Sequence, residues 1–193
     1  MPPIDPIDKL LKKHFTIQGT WNLNAQGLVD VFGTVHVGKQ PQDRLCVRFG
    51  HVSGSFLCFQ QNLRTLEGSP HTVGGRFVCG NNLITSLQGG PVEVGEQYQA
   101  HLNHLTSLAG APHSVAESIS ISYYPDTPLL KLFNYKKVQF IEFNTPPTPK
   151  IWKELFDPKV HPELQGGGRA AMMKAVAILS KAGLYKNNPN AQP

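Results

Sequence analysis

Residues 73–93 read VGGRFVCGNNLITSLQGGPVE, and the 21-residue stretches on either side repeat that pattern position by position: VSGSFLCFQQNLRTLEGSPHT (52–72) and VGEQYQAHLNHLTSLAGAPHS (94–114). Leu66, Leu87 and Leu108 are in phase, as are Gly68, Gly89 and Gly110, then Pro70, Pro91 and Pro112. Phe56, Phe77, Tyr98 and Ile119 share a further column, and a partial fourth copy begins at Val115. A fixed period of this length is the mark of a solenoid, in which each repeat buries its apolar face only against its neighbours.

Continuing the register backwards brings Val31, Val35, Val37 and Leu45 into the apolar columns, and forwards Leu129 and Phe140. The solenoid is therefore expected over about residues 28–144, with the clear repeats at 52–121. Arg76 to Cys79 alternates Arg76 out, Phe77 in, Val78 out, Cys79 in, which is the period of a short strand with one buried face. One parallel strand per coil is expected. The column Gln61, Asn82, Asn103 follows the strand, where a side-chain amide can satisfy backbone groups that no ladder reaches. These amides are expected to stack as a ladder inside the turn. Leu66, Leu87 and Leu108 fill the back of the core, each worth about 1.5–3 kcal/mol when fully buried. Gly-x-Pro then turns the chain, glycine taking a positive φ and proline barring a helix, so the convex side is expected to be irregular or 3₁₀. Leucines and an asparagine in fixed places at this period belong to the leucine-rich class, so the fold class expected is a β-rich α/β solenoid with a leucine-rich-repeat-like parallel sheet.

The run FVCGNNLITSLQGGPVEVG resembles the leucine-rich-repeat-like proteins of tailed bacteriophages, whose repeats read aromatic-x-Cys-x-x-Asn-x-Leu-Thr-Ser-Leu-x-Gly-x-Pro with a Val-Gly pair before the next strand. The match is close over about residues 52–121, and QGGGRAAMMKAVAILSKAGLYKNNPNAQP is similar to the helix and Gly-Leu/Phe-x-x-Asn ending that follows such arrays. The resemblance implies a fold and a viral origin and transfers no catalytic residue. Similar repeats occur in secreted bacterial effectors with a large ligase domain, for which this chain has no room.

At 193 residues and 40% hydrophobic, the chain can bury one sizeable core. A stack of coils exposes apolar ends, so short helical caps are expected at both. Residues 1–27 read as the N-terminal cap: Asp5 to Phe15 as an amphipathic helix with Ile7, Leu10, Leu11 and Phe15 inward, then a hairpin around Trp21 to Gly33. Residues 145–193 read as a Pro-rich linker, PPTP at 146–149, and two helices, Lys150 to Phe156 and Arg169 to Ala182. The second carries Ala170, Met173, Val176, Ala177 and Leu179 around much of its circumference and is expected to stop at Gly183 and to dock on the last coil or on a partner. The tail Lys186 to Pro193 is polar and expected to fray.

No apolar run approaches the ~20 residues that a membrane span needs, and acidic residues stand where a signal peptide would have its apolar stretch, so no membrane association is expected. With the viral resemblance, this puts the chain in the host cytoplasm or in a virion assembled there. Three cysteines fit a reducing compartment. Cys58 and Cys79 share an inward column and read as small buried hydrophobes. His101 and His104 fall at a strand-to-turn junction, and His71 and His113 lie two coils, about 10 Å, apart, so neither pair reads as a metal site. Paired carboxylates, a nucleophile elbow and a P-loop are all absent; GGGR at 166–169 lacks the Lys-Ser/Thr that cradles phosphate. The expectation is a non-enzyme with no cofactor and no metal.

The formal net charge is +5, yet residues 52–121 hold Arg64 and Arg76 against Glu67, Glu93, Glu96 and Glu117, a net of −2 that leaves +7 for the flanks. Lys9, Lys12 and Lys13, then Lys136 and Lys137, and Arg169, Lys174, Lys181 and Lys186 form a candidate basic patch for nucleic acid or an acidic protein. No aromatic is interleaved with them as single-strand binding requires. The outward strand positions form the candidate protein-binding face: Thr34, His36, Ser55, Leu57, Arg76, Val78, Gln97, Gln99, Ser118 and Ser120, with Gln139 and Ile141 beyond. Within it, Leu57, Arg76, Val78, Gln97 and Gln99 are the candidate site residues, because a mildly apolar, nearly uncharged centre suits a protein partner. The function expected is a phage protein that binds and modulates a host or defence protein. The alternatives are a structural virion component and nucleic-acid binding through the basic caps; the oligomeric state stays open.

Overall fold

In the computed structural model, which describes residues 4–122, 124, 129–135, 137–141, 147–165 and 167–182, helix α1 (Ile4–His14) leads into an antiparallel hairpin, β1 (Phe15–Leu23) and β2 (Val29–Val37). A parallel β-solenoid of about five turns follows. Its strands are β3 (Phe49–Val52), β4 (Phe56–Leu57), β5 (Thr72–Val73), β6 (Phe77–Val78), β7 (Glu93–Val94), β8 (Tyr98–Gln99), β9 (Ser114–Val115), β10 (Ile119–Ile121) and β11 (Val138–Phe140). The C-terminal part holds a 3₁₀ segment (Leu129–Asn134), α2 (Lys150–Leu155), a short 3₁₀ turn (Pro162–Leu164) and α3 (Gly168–Lys181).

Each clear coil contributes two strands, not the single strand expected from the alternation around Phe77. One ladder runs β2-β4-β6-β8-β10-β11 and the other β2-β3-β5-β7-β9. The second ladder is the Val-Gly column: Val52 pairs with Val73 and Val73 with Val94, all buried. Between the ladders the chain turns a corner, bonded from coil to coil through Gly54 N–H to Gly33 O, Gly75 N–H to Gly54 O and Glu96 N–H to Gly75 O. The long β2 serves both ladders, Val31 pairing with Val52 and Val35 with Phe56. Gly33, with φ at 146°, sits at that fork.

Inward columns fill the core as the sequence predicts. Leu66, Leu87, Leu108 and Leu129 are buried, as are Val31, Val35, Val37 and Leu45. Phe56 stacks on Phe77 at 5.8 Å and Phe77 meets Tyr98 at 5.1 Å with the rings tilted, while Phe49 and Phe15 extend the aromatic file to the N-terminal end. Phe140 departs from the strict period: β11 pairs Val138 with Ile119 and Phe140 with Ile121, so the last coil is two residues shorter. Tyr98 is the one column member with a polar atom, and its hydroxyl is buried beside the Cys79 thiol without hydrogen-bond geometry to any partner. Tyr98→Phe is expected to raise stability by about 1 kcal/mol, because it removes a buried, unpaired donor and keeps the ring; the midpoint of urea denaturation reads it.

In the turns Asn82 and Asn103 point inward and bond backbone groups of successive coils, as the sequence predicts, and Gln61 alone departs. Asn82 accepts from the N–H groups of Gln61 and Leu63 and donates to the carbonyls of Cys58, Cys79 and Gly80. Asn103 accepts from Ile84 N–H and donates to Cys79 O and Ala100 O. Gln61 leaves the column, its longer side chain folding out to donate to Phe59 O. One coil earlier Gln40 rejoins it, buried, donating to His14 O and Gly38 O and accepting from Cys46 N–H. Gly68, Gly89 and Gly110 have φ of 91°, 84° and 77°, as their turn position requires. No α-helix lies on the convex side of the clear repeats.

At the N-terminal end α1 packs against β1, with Leu11 buried and Ile7 and Leu10 partly so. At the other end α3 lies against the 3₁₀ segment 129–134 and the 3₁₀ turn 162–164. Its buried stripe is Ala171, Ala175 and Leu179, closing a second small core with Phe133, Leu155 and Leu164. Of the apolar residues read around its circumference, Leu179 is buried and Val176 intermediate, while Ala170, Met173 and Ala177 are exposed, Met173 at 65%. A helix rich in alanine all round does not declare its inner face, and the contact with Phe133 and Leu164 chooses it. The expected stop at Gly183 and the tail from Lys186 lie outside the described residues.

Candidate functional site

The outward face of the first ladder carries Leu57, Arg76, Val78, Gln97 and Gln99 on β4, β6 and β8 and the residues leading into them. Leu57 and Val78 stand side by side in register, both half-buried. Around them the polar residues bond one another: Gln99 Nε2 donates to Gln97 Oε1 at 2.9 Å, Gln97 Nε2 to Glu117 Oε2 at 3.1 Å, and Arg76 Nε lies 4.0 Å from Glu96 Oε2. Thr34 and Ser55 hydroxyls accept from the N–H groups of Ser55 and Arg76, tying the face from coil to coil.

The face is interrupted near its end. Ser118 and Ser120 are buried, at 6% and 5% exposure, which leaves a gap between Gln99 and the exposed Gln139 on β11. The face is wider in the other direction. Phe59 is exposed at 40%, and its ring lies 6.4 Å from that of His101, two coils on, with Gly80 between them in the same column. A Cβ at Gly80 would sit 3.2 Å from His101 Nε2, so the missing side chain lets the two rings lean together. His101 meets Ser120 Oγ through Nδ1 at 3.3 Å, and its partial burial lowers its pKa. Phe59 extends the Leu57–Val78 apolar centre; the period of two from Leu57 to Phe59 was its signal in the sequence.

The candidate cations do not form one patch. Lys9, Lys12 and Lys13 ride on α1 beside the first strands, where Lys12 pairs with Asp8 at 2.7 Å and Lys13 is close enough to act on the Cys46 thiol. Lys174 and Lys181 ride on α3 beyond the last coil, with Lys137 just before β11. Six strand steps separate β1 from β11, about 29 Å at the usual spacing. Lys136 and Lys186 lie outside the described residues. Sequence reading missed Arg44 and Arg48, both exposed, which line a concavity of about 500 Å³ with Glu67 and Gly89; they fall in a coil whose repeat is degenerate.

Cys58 and Cys79 are free and fully buried, and burial pushes the Cys79 thiol up to about 12 and Cys58 well up too, which leaves them without thiolate character. Among the described residues no group of three or more His, Cys, Asp or Glu is placed to hold a metal ion, and no helix is long and apolar enough to cross a membrane. Compared with family models, with curated proteins and with solved structures, the chain matches none.

Proposed function

We propose that this chain is a non-enzymatic protein-binding module: a leucine-rich-repeat-like solenoid, capped by α1 with the hairpin at one end and by the C-terminal helices at the other, that binds and modulates a host or defence protein during phage infection. The repeat signature quoted above supports the phage setting. One observation carries the binding reading: Leu57, Val78 and Phe59 make an apolar centre ringed by Arg76, Gln97 and Gln99, whose polar groups are already held, Gln99 by Gln97, Gln97 by Glu117 and Arg76 by Glu96. An apolar centre with a polar rim is how protein interfaces are built, and a rim fixed in advance loses little side-chain entropy on docking. Continuous phosphate tracking needs one cationic surface, and these cations stand at opposite ends.

The test is capture of the tagged protein's partners from infected host cells, repeated with Arg76→Glu and Val78→Asp. Both substitutions are on half-exposed or exposed positions and are expected to leave the melting temperature within a few degrees while weakening capture at least about tenfold. One host protein near equal stoichiometry, lost in both variants, supports the proposal. Capsid or tail proteins would make the chain a virion component, and retention through both variants would remove this face from consideration.

A further inference from the structure

A trench of about 570 Å³ crosses the second ladder, on the other side of the corner from the face just described. Its sides are His51, Thr72, Glu93 and Ser114, and its floor is Gly74, Gly95 and Ala116. At Gly74 and Gly95 the floor is bare for a reason internal to the fold: a Cβ on Gly74 would lie 2.1 Å from Ser53 O, and one on Gly95 2.0 Å from Gly74 O; Ala116 adds a single methyl at the end. The trench spans the three coil steps from His51 to Ser114, about 14 Å. Its lining is mainly apolar, and its charge is negative. Glu93 lines it, and Glu96 and Glu117 stand exposed on the corner next to Gly95 and Ala116.

The same chain carries the complementary surface. With Ala171, Ala175 and Leu179 turned inward, α3 presents Ala170, Met173 and Ala177 to solvent at helical spacing. Every charge on α3 is positive: Arg169, Lys174 and Lys181. Glu163, which bonds His161, is the carboxylate near Lys174, while Arg169 and Lys181 have no ion-pair partner among the described residues. At 14 residues α3 is about 21 Å long, enough to run the length of the trench.

We propose that the trench is an interface for a second copy of this chain, whose α3 lies in it with Met173 over the glycine floor and its cations against Glu93, Glu96 and Glu117. Both surfaces are exposed in one molecule, so neither fills the other within a chain. The contact is heterologous, head to tail, and joins copies into rings or short rows. It leaves the Leu57–Val78 centre uncovered, while Glu96 and Glu117, which also hold Arg76 and Gln97, are shared between the two surfaces.

Sedimentation equilibrium of the whole chain at low ionic strength, up to about 1 mM protein, tests it. Wild type is expected to associate, and association is expected to weaken at least about tenfold in Glu93→Lys alone and in the Lys174→Glu, Lys181→Glu double variant alone. Mixing the two reversed proteins is expected to restore a one-to-one complex, because each then supplies the surface the other needs. Unchanged thermal melts show that the variants fold. A monomeric wild type would hand the trench to a foreign basic chain and overturn the proposal. Association that survives both reversals, or reversals that abolish it without rescue on mixing, overturns it as well.

Discussion

Asn82→Ala will lower the free energy of unfolding by about 3–5 kcal/mol, while Gln61→Ala, one coil earlier in the same column, will change it by less than about 0.5 kcal/mol. Asn82 is 4% exposed, and its amide links the strand-to-turn junctions of two successive coils. It takes the N–H groups of Gln61 and Leu63 on one side and the carbonyls of Cys58, Cys79 and Gly80 on the other. Alanine removes this partner from the N–H groups of Gln61 and Leu63 and from Cys58 O, each buried group left unpaired costing about 1–3 kcal/mol before relaxation, whereas Cys79 O keeps Asn103 Nδ2 and Gly80 O keeps Gln60 N–H. Gln61 donates to Phe59 O at the surface, where water substitutes. Urea denaturation of the two variants decides it: equal losses would mean that the column acts as a whole and that these particular bonds do not matter. Asn103→Ala should fall between them, since Asn103 makes fewer such bonds.

The second large effect is expected at the fork. Gly33 pairs with Gly19 across the hairpin, with φ of 146° and 133°, and a Cβ on Gly33 would lie 1.9 Å from Gln18 O. Alanine cannot take that φ without strain, and the atom it would strike is backbone, so β1 must move away. Gly33→Ala should cost about 3 kcal/mol or more and open the pairing of β1 with β2. Gly27→Ala is the control: at φ 73° it carries backbone strain but its Cβ would meet nothing within 4 Å, so about 1 kcal/mol is expected. Thermal unfolding gives the stabilities, and amide exchange at Val31 and Val35 should accelerate in Gly33→Ala alone. Equal costs at the two glycines would show that the hairpin crossing is not what Gly33 protects.

The repeat by itself determined much of this protein. A 21-residue period in Leu66, Leu87 and Leu108, with Gly and Pro behind them, requires identical units that bury one column against the next, and the observed registers Phe56–Phe77 and Phe77–Tyr98 have that spacing. The same period located the Leu57, Val78 and Gln99 column, because alternation along a strand is local geometry. What the sequence left open depends on neighbours distant along the chain. In the second ladder Val73 and Val94 are followed by glycine, so no alternation of side chains shows there, and it exists because Val52, Val73 and Val94 lie at the same height on successive coils. Ser118 and Ser120 have the pattern of outward residues yet are buried, since only the assembled end of the solenoid decides what is covered. The inner face of α3 was likewise undecidable from an alanine-rich helix until Phe133 and Leu164 met it. Periodicity fixes what repeats, because every coil meets the same surroundings; the ends and the corner, where the surroundings are unique, were set by tertiary contact alone.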